Sequence, residues 1–363
     1  MTDSVRRTRK SRQVGRRSVL RGLGAGLAIG AALTPIRHAL AQSKEVVYAT
    51  YGGTWEQIIR KAWFDPFTEK TGIRVRVASG PDNGKIRAMV RAGRTEWDVV
   101  ETNPDMQWIG PKEGLLEKLD FNVISKAGFP QGADLVTDYS VPEAFWSRVI
   151  AYNTSKFPTG NHPRNFAEFW DAKRFPGKRT MYAKANGAAL EAALMADGVP
   201  ADRLYPLDYN RAFKSLEKIR DHILWYDNNS QAMQFMQDGQ AVLGLVPDGR
   251  AQFLIDKGVP LAIEYNQSLL TWVSYIVPKG APNRENAMKL IAHITSLEGQ
   301  VAIGMAYTYG LVHTGAYDKL PPERVKLLTN GPQQKGKAVL VSEKWWGENQ
   351  AKVEEAFANW RLS

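Results

Sequence analysis

Five histidines, no cysteine and a scatter of carboxylates are the groups of this 363-residue chain that could carry chemistry. His38, His162, His222, His293 and His313 stand too far apart for H-E-x-x-H or another compact metal-ligand spacing. No G-x-S-x-G elbow, Walker phosphate loop or dinucleotide glycine fingerprint occurs. The lack of Cys removes thiolate nucleophiles, thiolate metal ligands and disulfides together. Asp and Glu are abundant, but no spacing nominates a catalytic pair. The chain therefore reads as a non-enzyme with no cofactor and no metal site, and its informative polar residues read as binding groups.

Several such groups sit where strands give way to helices. Tyr51-Gly52-Gly53-Thr54-Trp55 ends a strand and opens a helix, leaving backbone N–H groups beside a glycine turn that suits a carboxylate or phosphate. The bland reading of the same string is a tight turn capped by Thr54. Trp225 and Tyr226 end a strand, and Trp272 and Tyr275 lie in another; each ring can stack on an amine or serve as core. Asp227, Asn228, Asn229 and Ser230 form a polar cluster before a helix that Ser230 can cap. Asp248-Gly249-Arg250 follows one more apolar strand.

These groups need a scaffold of alternating strands and helices. Glu45 to Thr50, Ile73 to Val77 and Trp97 to Val100 read as strands separated by helices near Thr54 and from Gly84 to Ala92. That alternation predicts a parallel sheet covered by helices. Arg148 to Tyr152 predicts a short strand, and Asn153 to Asn165 a loop after a lobe boundary. His222 to Tyr226, Gln231 to Gln237 and Ala241 to Pro247 repeat strand, helix, strand and predict a second sheet. Leu261 to Glu264 and Trp272 to Val277 predict two further short strands. Helices are expected at Arg284 to Thr295, Leu297 to Ala306 and Glu343 to Ala358.

The first 41 residues have a different character. Arg16-Arg17, the small and apolar run Gly22 to Leu33, and Ala39-Leu40-Ala41 supply the basic, apolar and small-x-small regions of a signal peptide. Gly15-Arg16-Arg17-Ser18-Val19-Leu20-Arg21 resembles the twin-arginine signal, and twelve residues are too few to span ~30 Å of hydrocarbon. Cleavage after Ala41 leaves 322 residues, enough for two lobes. The leader holds nine Lys and Arg against one Asp, so the precursor's net +11 less +8 leaves about +3 in the mature chain. That small excess removes the electrostatic case for nucleic-acid binding.

The mature chain resembles the periplasmic solute-binding proteins of ATP-driven importers, in the spermidine and putrescine binding subgroup. The resemblance runs over residues 44–362 and rests on the ordered strings Tyr51-Gly52-Gly53-Thr54-Trp55, FTEKTGIRV from Phe67, Trp97-Asp98-Val99-Val100, Gly114-Leu115-Leu116, Phe175-Pro176-Gly177-Lys178-Arg179, YPLDYNRAFKSL from Tyr205, Pro278-Lys279-Gly280-Ala281-Pro282-Asn283 and Trp345-Trp346. It implies a type II, two-lobed α/β periplasmic binding fold with the ligand in the cleft and hinge closure upon it. The expected division is 42–151 plus about 276–312 for the first lobe and 152–275 plus about 313–363 for the second, with crossovers near Val149 to Asn153 and Trp272 to Val277.

The resemblance also implies a polyamine or related small amine as the solute. The alternatives are an amino-acid-like zwitterion, a phosphonate, an organic acid, or ferric ion held through Tyr307 and Tyr309. Polyamine relatives use several carboxylates, and at the matching positions this chain has Gly53 or Thr54, Ala185, Ala188, and Val273 or Ser274. Glu101, Asp105, Asp227, Asp248 and Glu264 remain as nearby acids, while Lys184 favours an acidic group. Pro247 and Asp248 replace the family's Trp-Asn before Gly249-Arg250. The candidate ligand-binding set is Tyr51, Gly53, Thr54, Trp55, Asn103, Lys184, Trp225, Ser230, Asp248, Arg250, Trp272, Tyr275 and Tyr309. The implied partners are a small solute, an inner-membrane ABC permease with its ATPase, and the twin-arginine translocase during export. A periplasmic monomer is expected.

Overall fold

Val46 to Ala49 are apolar on both faces, and they form the buried strand β1 (Glu45–Thr50). The computed structural model describes residues 44–130 and 135–363. The expected leader, with Arg16-Arg17 and the expected cleavage site after Ala41, lies outside the described residues. β2 (Arg74–Ser79) and β3 (Val99–Thr102) flank β1 in parallel. Helical residues run from Gly53 to Thr71, with a π turn at Arg60–Phe64, and stop where Gly72 adopts φ 69°. That helix buries Ile59, Trp63, Phe64 and Phe67, and the Trp63 indole N–H donates to the Gly299 carbonyl at 2.8 Å. The burial stabilises while the polar tip of the ring stays satisfied.

The remaining strands are β4 (Ser140–Asn153), β5 (Arg179–Tyr182), β6 (Ile223–Tyr226), β7 (Leu243–Pro247), β8 (Leu261–Ile276) and β9 (Val339–Leu340). They do not make a second, separate sheet. One nine-stranded sheet has the order β2-β1-β3-β8-β4-β7-β5-β6, with β9 on β8. The long antiparallel pair β4 and β8 occupies its middle and contains Val149 to Asn153 and Trp272 to Ile276, where crossovers between lobes are expected from the sequence.

Both strands are longer than the sequence pattern predicts. β4 starts at Ser140 rather than Arg148. Pro142 lacks an N–H for the ladder, and the pairing passes from Pro142↔Ser274 to Ala144↔Val273, leaving Glu143 as an extra bulged residue. β8 joins the two short strands expected around Leu261 and Trp272. A second irregularity lies between Arg148↔Leu269 and Ile150↔Glu264, and within it Gln267 adopts φ 62°.

Two large apolar cores lie on the two halves of the sheet. The first contains Val46, Trp63, Phe67, Leu290 and Ile291. The second contains Phe166, Phe169, Leu190, Leu194 and Phe357. Ala316, Leu320 and Leu328, which the sequence reading grouped with the second lobe, pack in the first core. The final helix Glu343–Leu362 returns to the second through Trp346, Val353 and Phe357. Arg179, in the Phe175–Arg179 string, is buried and donates to the carbonyls of Phe169, Phe175 and Gly177, fixing that turn. Desolvation lowers its pKa to about 10. Among the described residues, no helix is long and apolar enough to cross a membrane.

Candidate functional site

Two adjoining chambers open between the halves of the sheet. The smaller, of about 320 Å³, is bounded by Trp55, Glu101, Glu143, Trp146, Arg250 and Tyr309. The larger, of about 550 Å³, is bounded by Asp105, Lys184, Asp227, Trp272, Glu343 and Trp346. Tyr51, Asn103, Trp146, Arg148 and Asn229 line both, so the chambers form one cleft.

Glu101 sits at the end of β3 and is fully buried. Its Oε1 accepts from the Tyr48 hydroxyl and the Trp55 indole, both at 2.8 Å. Its Oε2 accepts from Thr50 Oγ1 at 2.7 Å and from the Tyr51 backbone N–H at 3.1 Å. The glycine turn thus already holds a carboxylate, that of the protein itself. The helix after the turn begins at Gly53 with Gly52 in the capping position and no side-chain cap.

Glu143 is the second acid of the smaller chamber, and the sequence reading missed it. Val141 and Phe145, two residues to either side, are buried in the first core, so strict alternation would bury Glu143 with them. At the bulge it borders the smaller chamber while only 1% exposed, its carboxyl set against Tyr48 and Tyr275. Neither carboxylate oxygen completes a hydrogen bond of ordinary geometry, although the Glu101 carboxylate and the phenols of Tyr275 and Tyr48 adjoin it. Burial, and next the charge of Glu101, push Glu143 well above the usual carboxylate range. Burial also raises Glu101, with its four donors opposing the rise.

Arg148 stands at the junction of the chambers and is only 8% exposed. One guanidinium nitrogen donates to the Tyr226 hydroxyl at 2.6 Å, and the group lies 5.0 Å from the Tyr182 ring and 5.4 Å from that of Trp146. Among the described residues no carboxylate forms an ion pair with it. Burying a guanidinium without a counter-ion is costly, and an incoming anion offsets that cost.

Of the residues singled out from sequence, Tyr51, Trp55, Asn103, Lys184, Arg250, Trp272 and Tyr309 stand on the cleft walls. Gly53, Ser230, Trp225, Asp248 and Tyr275 do not line it. Trp225 packs on Phe357 and Trp360, with Arg361 over its ring, because the final helix covers that face of β6. Ser230 is exposed on a helix capped by Asn228, which accepts from the Gln231 N–H. Asp248 is buried behind the wall, where the Ser147 N–H donates to it at 3.3 Å; burial raises its pKa to about 6. Tyr275 is buried with its hydroxyl 2.9 Å from that of Tyr48. Thr54 contributes backbone to the helix Gly53–Ile59. Glu264 faces His162 at 3.2 Å, away from the cleft walls.

Tyr307 and Tyr309 pack edge to face at 4.6 Å, and both lean on Trp55. Among the described residues, no group of three or more His, Asp or Glu is placed to hold a metal ion. Trp146, Arg148, Glu343 and Trp346 were not foreseen as wall residues. The first two fall in a strand whose start was hidden by Pro142 and Glu143, and the last two belong to a helix whose pattern signals only a core face.

The family profile of bacterial extracellular solute-binding proteins matches residues 62–330. The protein belongs to that family. As a bacterial extracellular solute-binding protein it belongs to a non-catalytic family, has the two-lobed α/β periplasmic binding fold, and acts in the periplasm as the substrate-binding component of an ABC transporter for a small polar solute. Its partners are an ABC permease and ATPase. The chain is 33% identical over 347 residues to the gamma-aminobutyric acid-binding protein of Pseudomonas aeruginosa, covering 92% of this chain and 94% of that one. The solved Atu4243-GABA receptor is similar at 36% identity and a TM-score of 0.80, over 87% of this chain and 97% of that one. An ABC transporter substrate-binding protein from Bradyrhizobium japonicum is similar at 35% identity and a TM-score of 0.82, over 87% and 99% of the respective chains.

Proposed function

We propose that the solute is an amino-acid-like zwitterion of the 4-aminobutyrate class, rather than a polyamine. The observation that carries this reading is an acid and a guanidinium spaced along one strand. Glu143 and Arg148 both belong to β4 and both line the smaller chamber. At ~3.3 Å of rise per residue, their Cα atoms lie about 16 Å apart, leaving room between the two side chains for a short zwitterion. The carboxylate of the solute meets Arg148, with Arg250 as a second cation on the same wall. Its ammonium meets Glu143, behind which lies Glu101, while Trp55, Trp146 and Tyr309 cover the aliphatic stem. A diamine has no group for Arg148. The similarity to two proteins named for gamma-aminobutyric acid supports the same choice.

Calorimetric titration of the ligand-stripped protein tests this reading. 4-Aminobutyrate is expected to bind, while butyrate and putrescine, each lacking one charge of the zwitterion, bind at least about tenfold more weakly, a difference of ~1.4 kcal/mol. Equal or tighter binding of putrescine overturns the proposal. The same reading has the chain exported through the twin-arginine route and working as a monomer; replacing Arg16 and Arg17 by Lys and following the precursor in cells, and sedimentation of the mature chain, check those two points.

A further inference from the structure

The larger chamber contains a second set of acids that a short zwitterion in the smaller one leaves unused. Asp105 enters it from the turn between β3 and the helix Met106–Lys112, Glu343 from the first turn of the final helix, and Asp227 from the loop after β6. Asp105 is nine-tenths buried, and its Oδ1 has no hydrogen-bond partner. The final helix approaches closely here, since a Cβ on Gly347 would stand 3.6 Å from the Asp105 carbonyl oxygen. Glu343 accepts from the Thr271 hydroxyl, leaving further acceptor capacity beside Asp105. Trp272 and Trp346 bound the same space. An orphaned buried acceptor, a second carboxylate beside it and two indole walls make a site complementary to an alkylammonium.

We propose that the larger chamber is a second ammonium subsite, built on Asp105 and Glu343, so that the protein accepts amino acids bearing an additional aminoalkyl arm. The inference rests on the zwitterion reading of the smaller chamber and extends it. Arg148, which lines both chambers, is the shared anchor for the carboxylate. Burial raises Asp105 to about 6 and Glu343 to about 8, the neighbouring Asp105 adding to the latter, so an arriving ammonium takes the place of a proton there. Lys184 is exposed at the rim and leaves the interior acids unpaired.

The test compares L-lysine with L-norleucine, which has a side chain of similar length without the terminal ammonium, and both with 4-aminobutyrate, by calorimetry on the wild-type mature chain and on Asp105→Asn and Glu343→Gln. Expected is at least tenfold tighter binding of L-lysine than of L-norleucine, with each substitution lowering L-lysine affinity at least tenfold more than 4-aminobutyrate affinity. Binding of 4-aminobutyrate with no preference for L-lysine over L-norleucine overturns the subsite and leaves the zwitterion reading intact. Binding of L-lysine that depends on both acids, without binding of 4-aminobutyrate, supports the subsite and overturns the assignment of the smaller chamber. Failure of all three compounds to bind overturns both. The wild-type comparison does not depend on either variant folding.

Discussion

The indole N–H of Trp346 donates to Glu191 Oε1 at 2.8 Å, and the Tyr205 hydroxyl donates to the same oxygen at 2.8 Å. A wall of the larger chamber is thereby tied to a fully buried carboxylate in the second core. Glu191→Ala removes the acceptor from two buried donors and should cost about 1–3 kcal/mol for each donor left unpaired. Glu191→Gln, which keeps an acceptor oxygen, should cost less. Urea unfolding of the three proteins checks the order; equal stability of the Ala variant and the parent would remove Glu191 from this role.

Arg148→Ala should weaken carboxylate-bearing solutes by a factor of roughly 30 or more, about 2 kcal/mol or above, as expected when one partner of a buried charge contact is truncated. Arg148→Lys should recover little of this, because an ammonium cannot reproduce a planar fork between the rings of Trp146 and Tyr182. Titration calorimetry reads both variants. An unchanged affinity in Arg148→Ala would place the carboxylate elsewhere.

Stability should fall as pH rises. Asp105 and Asp248 are raised to about 6 and Glu343 to about 8, chiefly by burial. The native state therefore holds more protons than the unfolded chain from about pH 4 upward. The stability these groups contribute is complete below their unfolded pKa values and is lost as pH climbs through 6 and then 8. The denaturant midpoint of the unliganded protein should accordingly drop between pH 5 and 8.5. Glu343→Gln should flatten the drop above pH 7. A midpoint that rises across this range would contradict the assignment.

Trp225→Ala should destabilise the fold by about 2 kcal/mol, less than the ~3–5 kcal/mol typical of a fully buried aromatic, because the ring is only partly covered. Solute affinity should not change, since the ring faces Phe357 and Trp360 rather than the cleft. Thermal unfolding with and without ligand separates the two effects; a lost affinity at unchanged stability would return Trp225 to the binding set.

Gly310→Ala should also be damaging. The Gly310 N–H and C=O exchange hydrogen bonds with Phe145 at 2.8 and 2.9 Å, and a Cβ there would stand 2.9 Å from Phe145 Cβ and closer still to the Asn330 side chain. Asn330 can swing aside, but the Phe145 Cβ is fixed to β4. An overpacking cost of about 1–3 kcal/mol is expected, with weaker solute binding because Tyr309 is the adjoining residue. Denaturant unfolding and calorimetry on one preparation measure both.

Much of the scaffold was legible in the sequence. β1 and the helices Arg284–Thr295 and Leu297–Ala306 begin and end where their apolar spacing and turn residues place them. The same pattern reading failed in the middle of the sheet. Pro142 and Glu143 interrupt β4, and Glu264 to Ser268 make the centre of β8 polar, so two long strands were read as short ones. Their length comes from pairing with each other, a contact remote in sequence that local periodicity does not contain. The cleft was legible where it is made of strand ends, as at Tyr51, Trp55 and Asn103. It was not legible where a wall depends on the bulge at Glu143, on Arg148 lacking a counter-ion, or on the final helix bringing Glu343 and Trp346 across from the far end of the chain.

The bulge at Glu143 makes solute preference a matter of counting. A strand has two faces, and an extra residue against the partner shifts which side chains the cleft sees. Deleting the extra residue, or moving the irregularity one step along β4, would offer the solute a different neighbour in its place, with composition almost untouched. Chains of this architecture can thus diverge in what they carry through insertions and deletions that a residue-by-residue comparison scores as trivial gaps.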